Sequence, residues 1–349
     1  MAVVKHFSDA YTVERKLPVN YIAGELDFCK AEFSYHTNNI ELSMFKNVLI
    51  SKSGCVYEDR WLIVRDSLIN PDHIRFAYLH LAKTLLSKRK IQLNDAEKYL
   101  VAFDGFTTGP YHWFCDFLSR IIALGEQTKE YVLILPATGY NKTIGTEILT
   151  LLKITFKDIL FIKEDEYFLC RQCYMVSHPC ITGRVADKQM ATVKALIDTY
   201  IVNGVADKNV NGRIFVSRAN TKYRHLLNEK ELLPVLNAHG FATVRFEDHS
   251  FMEQVRLSAT SKLMMGLHGA GLSNMLFMKA GGLVSEFRRD KIYHNQCYWH
   301  LADSIGLNYA YLFGQPDIDK PIEGNGCNLT VTVKQLSDHL EWLDKNNFI

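Results

Sequence analysis

The sequence predicts an α/β protein made of two Rossmann-like halves facing a cleft, and three observations carry that prediction. From Lys98 onward, apolar runs of strand length alternate with stretches of helical periodicity, the pattern of βαβ units around a parallel sheet. The alternation occurs twice, on either side of a break at residues 178–187 where Pro179 and Gly183 interrupt it. The length, 349 residues, suits two ordinary domains better than one core. The expected division is therefore 1–182 and 183–349.

The first half opens with a small β-meander at 47–50, 55–57 and 61–64, turning at Ser53-Gly54. Ile74, Ala77, Tyr78, Leu81 and Leu85 keep helical spacing and predict a helix between Pro71 and Lys90. Strands follow at 98–102, 131–135, 159–162 and 167–176, with helices at 111–124 and 142–152. In the second half a helix over 188–201 leads into strands at 213–217, 242–246, 263–266, 283–287 and 308–312. Helices are expected at 229–238, 250–260, 271–278, 295–305 and 334–344. Ser250 with Glu253 three residues on forms a capping box, and Asn228 is the expected N-cap of the helix after it.

Composition narrows the functional classes. A formal net charge of +2 does not indicate a nucleic-acid binder. Lys88-Arg89-Lys90 reads as a solvated helix terminus, although it would also suit an approach to anionic lipid. Met1–Lys16 contains five charges and no apolar core of a signal, and no run approaches the ~18 apolar residues of a membrane span. The expected location is the cytosol or, peripherally, the inner face of the plasma membrane. Eight cysteines in such a setting read as reduced thiols. Cys170, Cys173, His178 and Cys180 have some of the spacing of a zinc site, but one residue between His178 and Cys180 makes joint chelation awkward, so no metal is expected. Glu164-Asp165-Glu166 reads as a solvated loop.

The chemistry-bearing residues lie at the ends of predicted strands. In Gly266-Leu267-His268-Gly269-Ala270-Gly271-Leu272-Ser273-Asn274 a strand enters a glycine-rich turn and then a helix. Glycines let a ligand approach the backbone, and a helix N-terminus offers free N–H groups to an anion such as a diphosphate. Tight strand–helix packing would explain the same glycines. His268 in such a turn is poorly placed for a core. Ser217-Arg218 ends another strand with Arg224 close behind, and two guanidiniums there suit diphosphate oxygens. Glu286, at a third strand end, is expected to accept hydrogen bonds from ribose hydroxyls. In the first half, His112, Asp116 and Arg120 share one helical face; the His–Asp pair suits general-base work on a hydroxyl, and an exposed i,i+4 polar pair is the plain alternative.

Together the blocks Tyr111–Phe117, Ser217-Arg218 with Arg224 and Asn228-Glu229, Phe251 with Gln254, Gly266–Phe277 and Glu286 resemble glycosyltransferase family 61. That family includes the EGF-domain and O-mannose GlcNAc transferases, plant xylosyltransferases and bacterial capsule enzymes. The resemblance covers about half the chain and implies a GT-B fold, inversion at the anomeric carbon, no obligatory metal and no cofactor beyond a nucleotide-sugar co-substrate, UDP-linked. It implies donor binding by Ser217, Arg218, Arg224, His268, Gly269, Ala270, Gly271, Asn274 and Glu286, and catalysis by Asp116 as base with His112 as its neighbour or substitute. The expected acceptor is a glycan or lipid-linked glycan in bacterial capsule, lipopolysaccharide or other surface polysaccharide synthesis. Two other classes compete: a nucleotide-dependent oxidoreductase, whose G-x-G-x-x-G order is absent at Gly266, Gly269 and Gly271, and a non-catalytic glycan-binding relative, which would be expected to have lost Arg218, His268 or Asp116.

Overall fold

The computed structural model describes residues 2–204 and 212–348. They cluster into two compact units: the segment up to Val13 with His36–Val193, and Glu14–Tyr35 with the chain from Lys194. Residues 14–35, expected in the first half, therefore belong with the second, and the division falls at Val193 inside a helix rather than at 178–187. Long-range hydrogen bonds explain the first of these differences. Val19 N–H donates to the Tyr309 carbonyl at 2.8 Å, Asn20 bonds the Tyr311 backbone in both directions, and the Trp299 indole donates to the Lys16 carbonyl.

The first unit is built on one mixed sheet. Its strands are β1 (Ala2–Ser8), β2 (Ile40–Ser51), β3 (Val56–Glu58), β4 (Leu62–Ile63), β5 (Arg89–Gln92), β6 (Tyr99–Val101), β7 (Val132–Pro136), β8 (Asp158–Ile162) and β9 (Glu166–Val176). They run in the order β8-β7-β6-β9-β2-β3-β4, with β1 paired to β2 and β5 to β9. The β8-β7-β6-β9 side is parallel, as the alternation predicts; β9 then pairs antiparallel with β2, and the β2-β3-β4 meander continues the sheet. Only half of this sheet is thus Rossmann-like.

The basic run is not a solvated helix end. Helix α1 (Ile74–Ser87) stops before it, Lys88 donates to the Glu164 carbonyl, and Arg89 pairs with Glu166 as β5 joins the sheet. The acidic triplet is likewise only partly solvated, because Glu166 is buried at the start of β9.

Helix α2 begins with Pro110–His112, widens into a π segment at Trp113–Leu118 and closes with Ser119–Ile121. Pro110 suits the first turn, where its missing N–H leaves nothing unpaired. A π turn at Asn141–Gly145 leads into α3 (Thr146–Leu151), and α4 (Asp187–Tyr200) follows.

The second unit carries five parallel strands: β10 (Gly212–Val216), β11 (Phe241–Val244), β12 (Ser261–Leu267), β13 (Leu283–Arg288) and β14 (Asn308–Phe313). Every residue of β13 is buried, as expected of a strand covered on both faces. Its helices are α5 (Glu229–Ala238), α6 (Phe251–Ala259), α7 (Cys297–Ser304) and α8 (Val333–Lys345). The capping box of Ser250 and Glu253 forms as the spacing predicts, and Thr332 with Gln335 makes a second one on α8. Asn228 is not a side-chain cap. It bonds both backbone groups of Val331 instead. Phe215, Met265, Leu267 and Phe287 from the sheet pack with Leu336 and Leu340 of α8 in one apolar core.

Strand order in this sheet is β11-β10-β12-β13-β14. The chain leaves β10 to one side for β11 and returns on the other side for β12. Loops at the carboxyl ends of β10 and β12 therefore diverge, which is where open α/β sheets bind their ligands.

Candidate functional site

Arg218 follows β10 and the glycine turn follows β12, so both sit at that switch point. They meet there. A Cβ placed on Gly269 would stand 2.2 Å from Arg218 Nη1, so only glycine lets the guanidinium lie over this turn. Arg218 Nε donates to the Arg224 carbonyl at 3.0 Å and Nη2 to the Tyr223 carbonyl at 2.9 Å. Burial and the nearby charge of Arg224 bring its pKa down to about 10, so it remains a cation at neutral pH. Arg224 holds φ at +61°, a conformation that non-glycine residues adopt rarely, and its buried Nε has no partner among the described residues. The Arg218 guanidinium is thus tied to the backbone of the loop that carries Arg224.

Gly266 and Gly271 answer to packing. Added Cβ atoms would meet Val216 at 2.9 Å and 2.7 Å, so these two glycines let the turn pack on β10. The helix after the turn is 3₁₀ over Ala270–Phe277 rather than α. Ala270 is exposed at its start, and Asn274 donates to the Gly271 carbonyl at 3.1 Å, bracing the turn. The Ser217 hydroxyl is engaged by the Glu229 carboxylate.

His268 and Glu286 form a buried pair, with Nδ1 and Oε1 2.5 Å apart. A carboxylate only accepts, so Nδ1 carries the proton. Among the described residues Nε2 of His268 has no hydrogen-bond partner. The other oxygen of Glu286 accepts from the Tyr309 hydroxyl, which in turn accepts from Arg288 at 3.2 Å. Burial raises the Glu286 pKa, but His268, Arg288 and Tyr309 more than offset it and hold the carboxyl below its ordinary value. Both oxygens are thus occupied inside the protein and the residue is almost wholly inaccessible. The ribose contact expected from its strand-end position gives way to orientation of His268 from behind. Tyr298 packs edge-on to the His268 ring at 4.9 Å, and His294 at 5.6 Å. Tyr298, Tyr309, Arg288 and His294 were not singled out by sequence reasoning; only the run of aromatic and histidine residues after Glu286 hints at them.

The first unit brings His112 and Asp116 together across the π segment, Nδ1 to Oδ2 at 2.6 Å. Such widened turns occur often at functional sites. Asp116 is buried while His112 keeps part of its ring exposed, so the plain reading of an exposed polar pair does not hold. Burial lowers the His112 pKa, but Asp116 and then Asp104 outweigh it and raise the value above ordinary. Thr182 also reaches Asp116, at 3.4 Å. Arg120, expected to share this face and hold Asp116 ionised, is fully buried and spends its hydrogen bonds elsewhere. It donates to the carbonyls of Val176 and Ala102 and to His178 Nε2.

Asp104 is the residue that spacing could not reveal. Its Oδ1 accepts from Phe106 N–H at 2.7 Å, while Oδ2 is buried with no partner. Burial, then the neighbouring Asp116, push its pKa up to about 6. Phe106 stacks on His112, with ring centres 5.2 Å apart.

Among the described residues no group of three or more His, Cys, Asp or Glu side chains is arranged to hold a metal ion. In the cysteine cluster, His178 Nε2 is taken by Arg120, and Cys170, Cys173 and Cys180 are buried. No described helix is long and apolar enough to cross a membrane.

Comparison with known proteins follows this geometry. The family description Glycosyltransferase 61 matches residues 111–284, from the start of α2 to β13, and so includes both the His112–Asp116 pair and the Arg218–Gly269 turn. The chain is similar to the EGF domain-specific O-linked N-acetylglucosamine transferase of Pan troglodytes, at 24% identity over 221 residues. To that of Mus musculus it is 25% identical over 225 residues, and in both cases the match covers 57% of this chain but 42% of the relative. A shorter stretch of 100 residues is 33% identical to the Drosophila melanogaster enzyme, covering 28% of this chain and 19% of the relative. The chain thus spans less than half the length of these curated relatives. Over residues 111–284 the chain is a homologue within glycosyltransferase family 61.

Proposed function

We propose that this protein is an inverting, metal-independent glycosyltransferase of GT-B type, taking sugar from a UDP-sugar. The observation that carries the reading is the Arg218 guanidinium lying over Gly269 at the switch point of the second sheet. A nucleoside diphosphate leaving group needs its growing negative charge met by fixed donors. Arg218 Nη1, Arg224 and the free N–H groups at the start of the 3₁₀ helix supply them. His268, held at Nδ1 by the buried Glu286 carboxylate, is a fixed ring beside this turn. The two guanidiniums and these N–H groups do what a divalent metal does in other transferases, so the reading needs no metal. Ser217, Ala270, Gly271 and Asn274 shape and brace the turn.

Inversion requires a base to take the proton of the acceptor hydroxyl as it attacks the anomeric carbon and the diphosphate departs. The reading assigns this to Asp116, oriented by His112. The acceptor is a glycan or a lipid-linked glycan, and surface polysaccharide synthesis at the inner face of a bacterial membrane is the setting that fits this reading. The named activity of the curated relatives, transfer to EGF domains, remains theirs.

The experiment is to incubate the full chain with a panel of nucleotide sugars in EDTA and follow nucleotide release. UDP release from one sugar, accelerated by a glycan acceptor, supports the reading. Release only with added manganese, or none from any donor, overturns it.

A further inference from the structure

The first unit contains a cavity of about 500 Å³ between α1 and the loops at Ser53 and Asp104. That is the size range of small-molecule sites, ~300–1,000 Å³. Its wall is mostly apolar, with Leu68, Ile69, Phe76, Ala77, Leu79 and Phe106 among the lining side chains. Ser53, Ser67, His73, His80, Lys83 and Asp104 interrupt the wall, and among the described residues Asp104 Oδ2 and His80 Nε2 are buried with no hydrogen bond. A buried carboxylate oxygen left unpaired is costly, so a group that donates to it is expected in the bound state.

The rim is apolar as well. Phe76 and Leu79 line the cavity yet are each 70% exposed. Solvent-facing Leu85 and Leu86 extend the patch along α1. A free sugar, polar on every side, would leave the Leu68, Ile69, Phe76 and Leu79 side chains without an apolar partner. A ligand with one apolar part and one hydroxyl near it would satisfy walls and Asp104 together. The cavity also touches the reaction site: Phe106 forms part of its wall and stacks on His112, whose Nδ1 is bound to Asp116.

We propose that this cavity is a subsite for the apolar aglycone of the acceptor, a single alkyl, prenyl or acyl chain, with Asp104 accepting a hydrogen bond from the adjoining polar group. The inference rests on the transferase reading and narrows its acceptor to a lipid-linked glycan.

The loop that carries Asp104 is held in place. A Cβ on Gly54 would stand 2.5 Å from the Phe103 carbonyl oxygen, so glycine is required for the two loops to pack. The Thr107 hydroxyl accepts from the Asp104 N–H at 3.1 Å. The Asp104 backbone is therefore fixed at the cavity wall, and Phe106 N–H holds its Oδ1.

Titration calorimetry of the full chain with n-octyl β-D-glucoside, below its micellar concentration, tests this against glucose at equal concentration. The alkyl glycoside should bind and glucose should not. Leu79→Glu and Phe76→Glu, both at exposed positions, should weaken that binding at least tenfold while an unchanged circular-dichroism spectrum and melting temperature report an intact fold. Equal affinity for octyl glucoside and glucose, or an unchanged affinity in both variants, overturns the subsite. Sedimentation with phosphatidylglycerol vesicles without binding of the monomeric glycoside also overturns it, because α1 would then be a membrane-docking face. Loss of UDP binding in the unmutated protein would instead contradict the transferase reading.

Discussion

The Arg218 guanidinium occupies the space that a side chain on Gly269 would need, with Nη1 2.2 Å from the position of a Cβ there. Gly271, two residues on, faces Val216 instead. The two glycines should therefore fail differently. Gly269→Ala pushes away the end of a flexible side chain, so the melting temperature should hardly change while UDP affinity falls about tenfold or more. Gly271→Ala overpacks the turn against β10 and should cost about 1–3 kcal/mol of stability. Chemical denaturation and UDP titration of both variants separate the two effects.

Glu286 should make the second unit acid-sensitive. Its folded pKa lies below the unfolded carboxyl value, so its ionisation stabilises the fold above about pH 4.5 and that contribution is lost as pH falls through the folded pKa. Removing the carboxylate strands His268, Tyr309 and Arg288, and breaking such a buried pair costs about 3–5 kcal/mol. Urea unfolding of Glu286→Ala should show that deficit at pH 7 and a smaller one at pH 3. An equal deficit at both values would mean that packing, not charge, is lost.

Asp104 should act in the opposite direction. Its folded pKa of about 6 stands above the unfolded value, so the folded state binds the proton more tightly and stability decreases as pH rises from about 4 to 6. Asp104→Asn should therefore raise stability at pH 8, on the order of 3 kcal/mol, and be nearly neutral at pH 4. A variant less stable than wild type at pH 8 would contradict this.

Asp116→Asn should keep UDP affinity and lose turnover by about 10²–10⁴-fold, the usual scale for a removed general base. Normal turnover in that variant, with an inactive His112→Ala, would transfer the role of base to the imidazole.

Much of this was legible in the sequence where the signal is local. Ile214-Phe215-Val216 and Leu263–Gly266 read as strands from their apolar runs, and Ser250 with Glu253 announced a helix start that the structure contains. His112 and Asp116 were paired by helical spacing alone, and they do touch. What was not legible depends on distant partners. Val19 joins Tyr309 across 290 positions, so nothing near residues 14–35 announces which unit they complete. Glu286 looked free for a ribose because Tyr309 and His268 find it only in the folded sheet. Arg120 has the right spacing for Asp116, yet β9 offers it the Val176 carbonyl. Asp104 carries no motif or spacing that singles it out, and only burial distinguishes it.

The central claim, that a nucleoside diphosphate binds at the Arg218–Gly269 turn without a metal, is most directly tested by calorimetric titration of UDP into the full chain in EDTA. The account predicts one site, an affinity unchanged by manganese, and a loss in Arg218→Ala equivalent to about 1.5–3 kcal/mol, the scale of charge-assisted hydrogen bonds. Binding that appears only with manganese, or that survives intact in Arg218→Ala, would contradict it.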